Sequence, residues 1–368
     1  MNLSSRIRLY CVLAVAIGCG LAFLYLQPQP TPIQPVPHRH KITRAPSNLT
    51  FGAVPVENEL CKAKRDIETQ AVALLGVGKY SELDALAASF RKSQDSFANG
   101  FWSLSLFYQA LTDLETEAPE AQWQRRVALL RRWFEEDVDC ITPRVALAQA
   151  LVGYAWHARG SSWAPDVPKD AWRVVNERVT EANRILEAAR NLPEKCPFWY
   201  STWMTAVFLA DVSREQYDKV FSEALENFPP YTPFYFKRAY YLQERWFGEA
   251  GEWQKFAKES ADRRGGEQGD ILYAQIVWHL HDLRIYKNPI AESAVEWPRV
   301  QRGFEAMRRQ HPQSLLVLSE YCSISGFAPT GARPLMRSLF AELGNRVDLS
   351  VWRKMNFFLR DRGWANSN

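Results

Sequence analysis

Residues 213–229, SREQYDKVFSEALENFP, hold the pattern that decides the fold. Ser213, followed three residues later by Gln216, reads as a capping box, in which two side chains meet backbone N–H groups that the first helical turn leaves unpaired. Apolar residues then recur at helical spacing until Pro229, which cannot continue a helix. Within that helix Phe221 is followed by a small residue at +3, Ala224, and by a proline at +8, Pro229. Ile185, Ala188 and Pro193 repeat the order, as do Phe304, Met307 and Pro312 with a larger middle residue, and Phe256 with the Gly265-Gly266 stop is a degenerate copy. The leading residues stand 36, 35 and 48 apart. A small residue lets two helices approach, a large one fills the groove between them, and proline ends the helix. A pair of this kind cannot bury its apolar face alone, so neighbouring pairs must stack, and the expectation is an α-solenoid of antiparallel helix pairs.

Working outward, the period of 3.6 predicts helices near 56–76, 80–93, 98–115, 118–137, 143–158, 169–192, 197–211, 214–228, 232–246, 251–264, 267–282, 297–310, 314–325, 331–343 and 349–362. Thr142-Pro143 reads as an N-cap before a proline at the first helical position, and stops stand at Gly76, Gly265-Gly266 and Gly344. No stretch alternates apolar and polar residues long enough to demand a sheet, so the body, 56–368, is expected to be all-α.

The chain before it differs in kind. Arg6 and Arg8 precede Leu9–Leu26, an uncharged run of 18 residues. As a helix it spans roughly 27 Å, close to the hydrocarbon thickness of a bilayer. The leading expectation is therefore that 1–26 are a cytoplasmic tip and an uncleaved transmembrane anchor, with the body in the periplasm by the positive-inside rule. Lipoprotein processing at Cys19, or ordinary cleavage after Ala14-Val-Ala16, is the alternative. Residues 27–55 read as an extended linker; six prolines lie within 27–47, enough for a spacer on the order of 60 Å. Residues 1–56 carry five bases and no acid, leaving 40 bases against 41 acids, a net of −1, for the rest of the chain. A near-neutral body lacks the electrostatic footprint of a nucleic-acid binder. Cys61, Cys140, Cys196 and Cys322 fall in the body without a CxxC; buried free thiols are the leading reading, and disulfides stay open.

The triple at 36- and 35-residue spacing follows the grammar of the second helix in tetratricopeptide repeats. Several stretches carry a further resemblance: Tyr80-Ser-Glu-Leu-Asp84 through Phe101-Trp102-x-Leu104-x-Leu106-Phe107-Tyr108, Ala158-Arg159-Gly160-x-x-Trp163, Leu242-x-x-Arg245-Trp246-x-Gly248 and Leu272-Tyr273-Ala274. Over roughly residues 60–285 the chain resembles a bacterial family known as domain of unknown function 4034, whose members look like tetratricopeptide-like helical arrays. It departs from that pattern at Gln243-Glu244, where Leu-Pro is usual, and at Phe247, where glycine is usual. The resemblance implies a fold and no activity.

Motifs for chemistry are sparse. The chain holds no P-loop, G-x-G-x-x-G, H-E-x-x-H or G-x-S-x-G, so neither a catalytic constellation nor a cofactor or metal is expected. His279 and His281 point apart on a helix and read as solvated or capping groups. Glu135-Glu136-Asp137-Val138-Asp139 reads as a solvated helix end or weak cation contact, ion-paired locally with Arg125, Arg126, Arg131 and Arg132. Aromatic residues are concentrated instead: 20 of the 48 lie within 197–278. They either fill the layers between helices or line a concave groove suited to peptides or sugar rings. The groove reading selects Arg159, Trp163, Tyr200, Trp203, Tyr235 and Trp246, with the Arg159 fork facing a carboxylate; the competing reading has Arg159 capping its own helix.

The expected function is a membrane-tethered binding scaffold, not an enzyme, engaging a protein or peptide partner. The alternative is a helical-toroid enzyme acting on envelope glycans. The topology has a direct test: full-length protein should remain in membranes after a salt wash and keep its own N-terminus. A mature sequence starting at Cys19, or near Ile17 or Phe23, would contradict the anchor.

Overall fold

The computed structural model describes residues 52–115, 118–160, 166–210, 212–283, 288, 290–291, 293–329 and 332–367. The Leu9–Leu26 run, the linker up to residue 51 and Trp163 lie outside them. Among the described residues no helix is long and apolar enough to cross a membrane.

In chain order a strand β1 (Val54–Val56) leads to helices α1 (Glu59–Gly76), α2 (Tyr80–Ser93), α3 (Ser103–Thr112), α4 (Glu120–Glu136) and α5 (Ile141–Arg159). There follow α6 (Lys169–Ala188), α7 (Pro197–Leu209), α8 (Arg214–Asn227), α9 (Pro233–Tyr241), α10 (Glu252–Arg264), α11 (Gly266–Asp282), α12 (Trp297–Gln310) and α13 (Leu315–Ser325). The chain closes with α14 (Arg333–Leu343), strand β2 (Arg346–Asp348), α15 (Leu349–Trp352) and α16 (Met355–Asn366). The fold is all-α, and the described residues divide into two compact units, 63–256 and 52–62 together with 257–368.

In the first unit two kinds of helix alternate. Every residue of α3 and α7 is buried, and nearly every residue of α5. A helix apolar all round must be covered on all sides. The cover comes from α4, α6 and α8, each with one apolar stripe: Trp123, Val127, Leu130 and Trp133 on α4, Val175, Val179, Ala182 and Leu186 on α6, Tyr217, Val220, Phe221 and Ala224 on α8. Helix α5 packs against α3, α4, α6 and α7, and α7 packs against α3, α6, α8 and α9. Local chemistry fixes the ends. The Ser213–Gln216 capping box starts α8, and Pro197 opens α7 at a position whose N–H would have no partner.

The second unit repeats the alternation, with α11 and α13 buried and α12 and α14 striped. Its first and last segments are tied together. Strand β1 pairs in parallel with β2, Val54 opposite Arg346. Asn58 Nδ2 donates to Asp348 Oδ2 at 2.7 Å and to Ser350 Oγ at 2.9 Å, while Asn58 Oδ1 accepts from the Cys61 N–H at the start of α1. Two short strands of three residues were not signalled by the sequence, and β1 begins inside the range read as linker.

Three local readings are corrected. Helix α5 starts at Ile141 with Cys140 as its N-cap, so Thr142-Pro143 falls inside the first turn; the Thr142 hydroxyl accepts from Arg91 instead of capping. The helix expected over 349–362 is broken after Trp352, where Arg353 adopts φ 63° and its guanidinium meets Asp282. His279 and His281 are buried, not solvated, the second ring lying 4.7 Å from Phe327.

The repeat grammar also resolves into unequal parts. Ala224, Met307 and the aromatic leaders Phe221 and Phe304 are buried, but Ala188, the last residue of α6, is exposed and Ala189 takes its buried place. Ala224→Trp should therefore overpack the α8 contact and cost roughly 1 to 3 kcal/mol or more. Ala188→Trp should stay within about 0.5 kcal/mol of the parent. Urea denaturation of the two variants compares them directly, and equal effects would contradict this packing.

Candidate functional site

Polar groups gather where the buried helices of the first unit end. Helices α7 and α9 run in the same direction, since Thr205 meets Lys237 and, a turn later, Phe208 meets Tyr240 with ring centroids 6.2 Å apart. The half-buried Lys237 donates from Nζ to Thr205 Oγ1 at 2.7 Å. Asp113, the residue after α3, is exposed and accepts from the Thr112 hydroxyl at 3.2 Å. Burial raises the Asp113 carboxyl to about 6, against the lowering fields of Lys64, Lys237 and Arg126. Burial likewise lowers the Lys237 ammonium to about 8, against the raising field of Asp113.

Arg159 ends α5 and is 3% exposed. Its Nη1 donates to the Gly160 carbonyl at 2.9 Å, which is the helix-capping contact. Gly160 itself has φ +69°, a conformation that suits glycine at a helix end. The guanidinium carbon lies 5.7 Å from the rings of both Trp156 and Trp172. Its Nε and Nη2 have no hydrogen-bond partner, and neither does Nε1 of the buried Trp156. Burial pulls the Arg159 pKa down to about 10, against the raising field of the Tyr240 hydroxyl. Tyr240 in turn packs on Trp246 at 5.4 Å. The turn that follows is tight: Gly248 must lack a side chain, because a Cβ there would lie 1.9 Å from the Leu242 carbonyl oxygen. Within it Gln243 is fully buried with both side-chain polar atoms unpartnered.

Of the residues selected from the sequence, Trp246 packs on Tyr240 and Arg159 lies within electrostatic reach of the Tyr240 hydroxyl. The others pack elsewhere. The Tyr200 hydroxyl donates to Glu223 at 3.0 Å, Arg190 pairs with the same carboxylate, and that guanidinium lies 4.4 Å over the Trp203 ring, so this set joins α7 to α8 and to the residues after α6. Tyr235 lies between Phe221 and Phe256, 6.3 Å from each. The rings at 200, 203 and 246 are buried between elements. Sequence reading missed Asp113, Lys237, Trp156, Trp172 and Gln243. A signal existed for Trp156, one turn before Arg159 on the same helix face, and for Gln243, the departure noted within the 242–248 motif.

Other clusters are satisfied by their own neighbours. Asp84, Asp137 and Cys140 bring two carboxylates and a thiol within 4.8 Å of one another, but the Cys140 thiol donates to Asp84 and burial pushes its pKa to about 11. Glu135, Glu136 and Asp139 are exposed; Arg131 pairs with Glu181 of α6 and Arg126 donates to the Ala110 and Leu111 carbonyls, so these two basic residues do not pair within the cluster as expected. A cavity of about 240 Å³ is lined by Arg91, Trp102, Lys195 and Phe228, yet Arg91 is engaged by Glu194 and Thr142 and Lys195 by the Arg190 carbonyl. Cys61, Cys140, Cys196 and Cys322 are free thiols. Comparison with family models, curated proteins and solved structures finds no match to this chain.

The raised Asp113 carboxyl sets a pH dependence. With a folded pKa of about 6 against 3.8 unfolded, the native state binds the extra proton in that window, so stability falls as pH rises through it. Denaturant titrations should show a loss of about 1 kcal/mol between pH 4 and 6.5, discounted for solvent screening. Asp113→Asn should remove that slope; an unchanged slope would mean that the surrounding protein does not raise the Asp113 carboxyl.

Proposed function

We propose that this chain is a non-enzymatic binding scaffold: a tetratricopeptide-like α-solenoid of antiparallel helix pairs, anchored in a bacterial inner membrane by Leu9–Leu26, with its body in the periplasm. Its partner is a protein or peptide, engaged where α5 and α9 end. The observation that supports this most is the gathering there of buried polar groups that the chain leaves unmatched, Arg159 Nε and Nη2, Trp156 Nε1 and the Gln243 amide. Each such group costs on the order of 1 to 3 kcal/mol when nothing meets it, so their retention at one end of the unit fits a surface completed by something else. The resemblance to domain of unknown function 4034 fits the same reading, since two of the motifs that carry it, 158–160 and 242–248, lie beside Tyr240.

A glycan-active enzyme of helical-toroid type is the second reading, favoured by one observation: the Asp113 carboxyl, raised to about 6 beside Lys237, has the character of a general acid. Glycan turnover that vanishes in Asp113→Asn would support it.

A photo-crosslinking side chain tests the scaffold. Placed at the exposed Glu244, beside the end of α9, it should capture one discrete protein in intact cells. Placed at the exposed Glu177 on α6, it should capture none. Adducts that are absent at 244, or the same at both positions, would contradict the reading.

A further inference from the structure

We propose that the Arg159 guanidinium, buried at the end of α5 beside Trp156 and Trp172 with one edge unpartnered, is a carboxylate receptor. This rests on the scaffold reading and names the chemistry its partner must present.

The geometry selects the ligand class. Of the three guanidinium nitrogens, Nη1 is committed to the Gly160 carbonyl, which holds the plane of the group in register with the end of α5. The two without partners, Nε and Nη2, lie on one edge and direct two nearly parallel N–H bonds the same way. That edge matches the two oxygens of a carboxylate in a bidentate pair. Both indole rings lie 5.7 Å from the guanidinium carbon, so two aromatic surfaces border the charge. The Trp156 indole N–H, also buried and unpartnered, is a third donor in the same neighbourhood. One positive charge calls for one negative charge, and a doubly charged phosphate would stay half-neutralised. Trp172 is only half-buried, so its ring stands at the border with solvent.

Capping alone does not account for the arrangement. A capping arginine needs one N–H on the last carbonyls and keeps the rest of its fork in water. Here the rest of the fork is buried. A guanidinium cannot shed its charge at physiological pH, so its edge must be met by a ligand or by water that a ligand displaces.

The chemistry has two sources, a chain terminus or an acidic side chain. Full-length protein labelled with ¹⁵N-arginine, held in detergent micelles, should give an Arg159 Nε–H resonance, assigned by its loss in Arg159→Lys. N-acetylglycine (a terminal carboxylate) and N-acetylaspartate α-amide (a side-chain carboxylate) are titrated against N-acetylglycinamide, which lacks the charge. The expected result is a saturable displacement of that resonance by at least one of the two acids and none by the amide; the acid that saturates first identifies the source. Trp156→Phe, which keeps the ring and removes the N–H, should weaken the same titration two- to tenfold. A resonance that neither acid moves would overturn the receptor, whereas a resonance that moves while position 244 captures nothing would overturn the scaffold reading instead.

Discussion

Helix α7 has no face for water. All of its residues from Pro197 to Leu209 are buried, rings at Phe198, Trp199, Tyr200, Trp203 and Phe208 among them, and the chain around it is arranged to cover that surface from every direction. At about 25 cal/mol per Å² of apolar area, covering such a helix is the largest favourable term its neighbourhood has, and no single partner can supply it. Helices α3, α6, α8 and α9 each contribute a face. The amphipathic stripes of α6 and α8 are then a consequence: they exist because a buried helix lies on one side of them and solvent on the other.

The same constraint decides where polarity can go. Along buried helices such as α3 and α7 a charged side chain would be desolvated with no partner, at a cost of several kcal/mol. Charge is therefore pushed towards helix ends and the margins of the unit, where Asp113 follows α3, Arg159 closes α5 and Lys237 leans on Thr205. Charges inside the packed layers are tied down, as in the Tyr200–Glu223–Arg190–Trp203 set. At the end of α5 the Arg159 guanidinium is held by one hydrogen bond, to the Gly160 carbonyl, and its Nε and Nη2 are buried without one.

Much of the fold was legible in the sequence because its signals are local. The 3.6-residue period marks the striped helices α6, α8, α12 and α14, the Ser213–Gln216 box sits where its two side chains demand, and Gly344 ends α14 with φ +59°. The concentration of aromatic residues within 197–278 left two readings open, layers between helices or a groove, and in α7 the rings are all buried. Signals that depend on distant partners were lost. Nothing local distinguishes Ala188, exposed, from Ala224, buried, since only the position of the next helix separates them. Strands β1 and β2 are three residues each and exist because residues 290 apart pair at Asn58 and Asp348. At the candidate site Arg159 could be chosen for its chemistry, but its neighbours Trp172, Tyr240 and Gln243 come from other elements, and the rings first grouped with it, Tyr200 and Trp203, serve packing contacts.

Hydrogen exchange of the full-length protein, compared between native membranes and the purified state, tests the central claim most directly. A partner docked where α5 and α9 end predicts slower exchange at 156–160 and 240–248 in native membranes, lost on purification, with the outer faces of α6 and α8 unchanged. Identical exchange in both states, or protection gained only on α6 and α8, would contradict it.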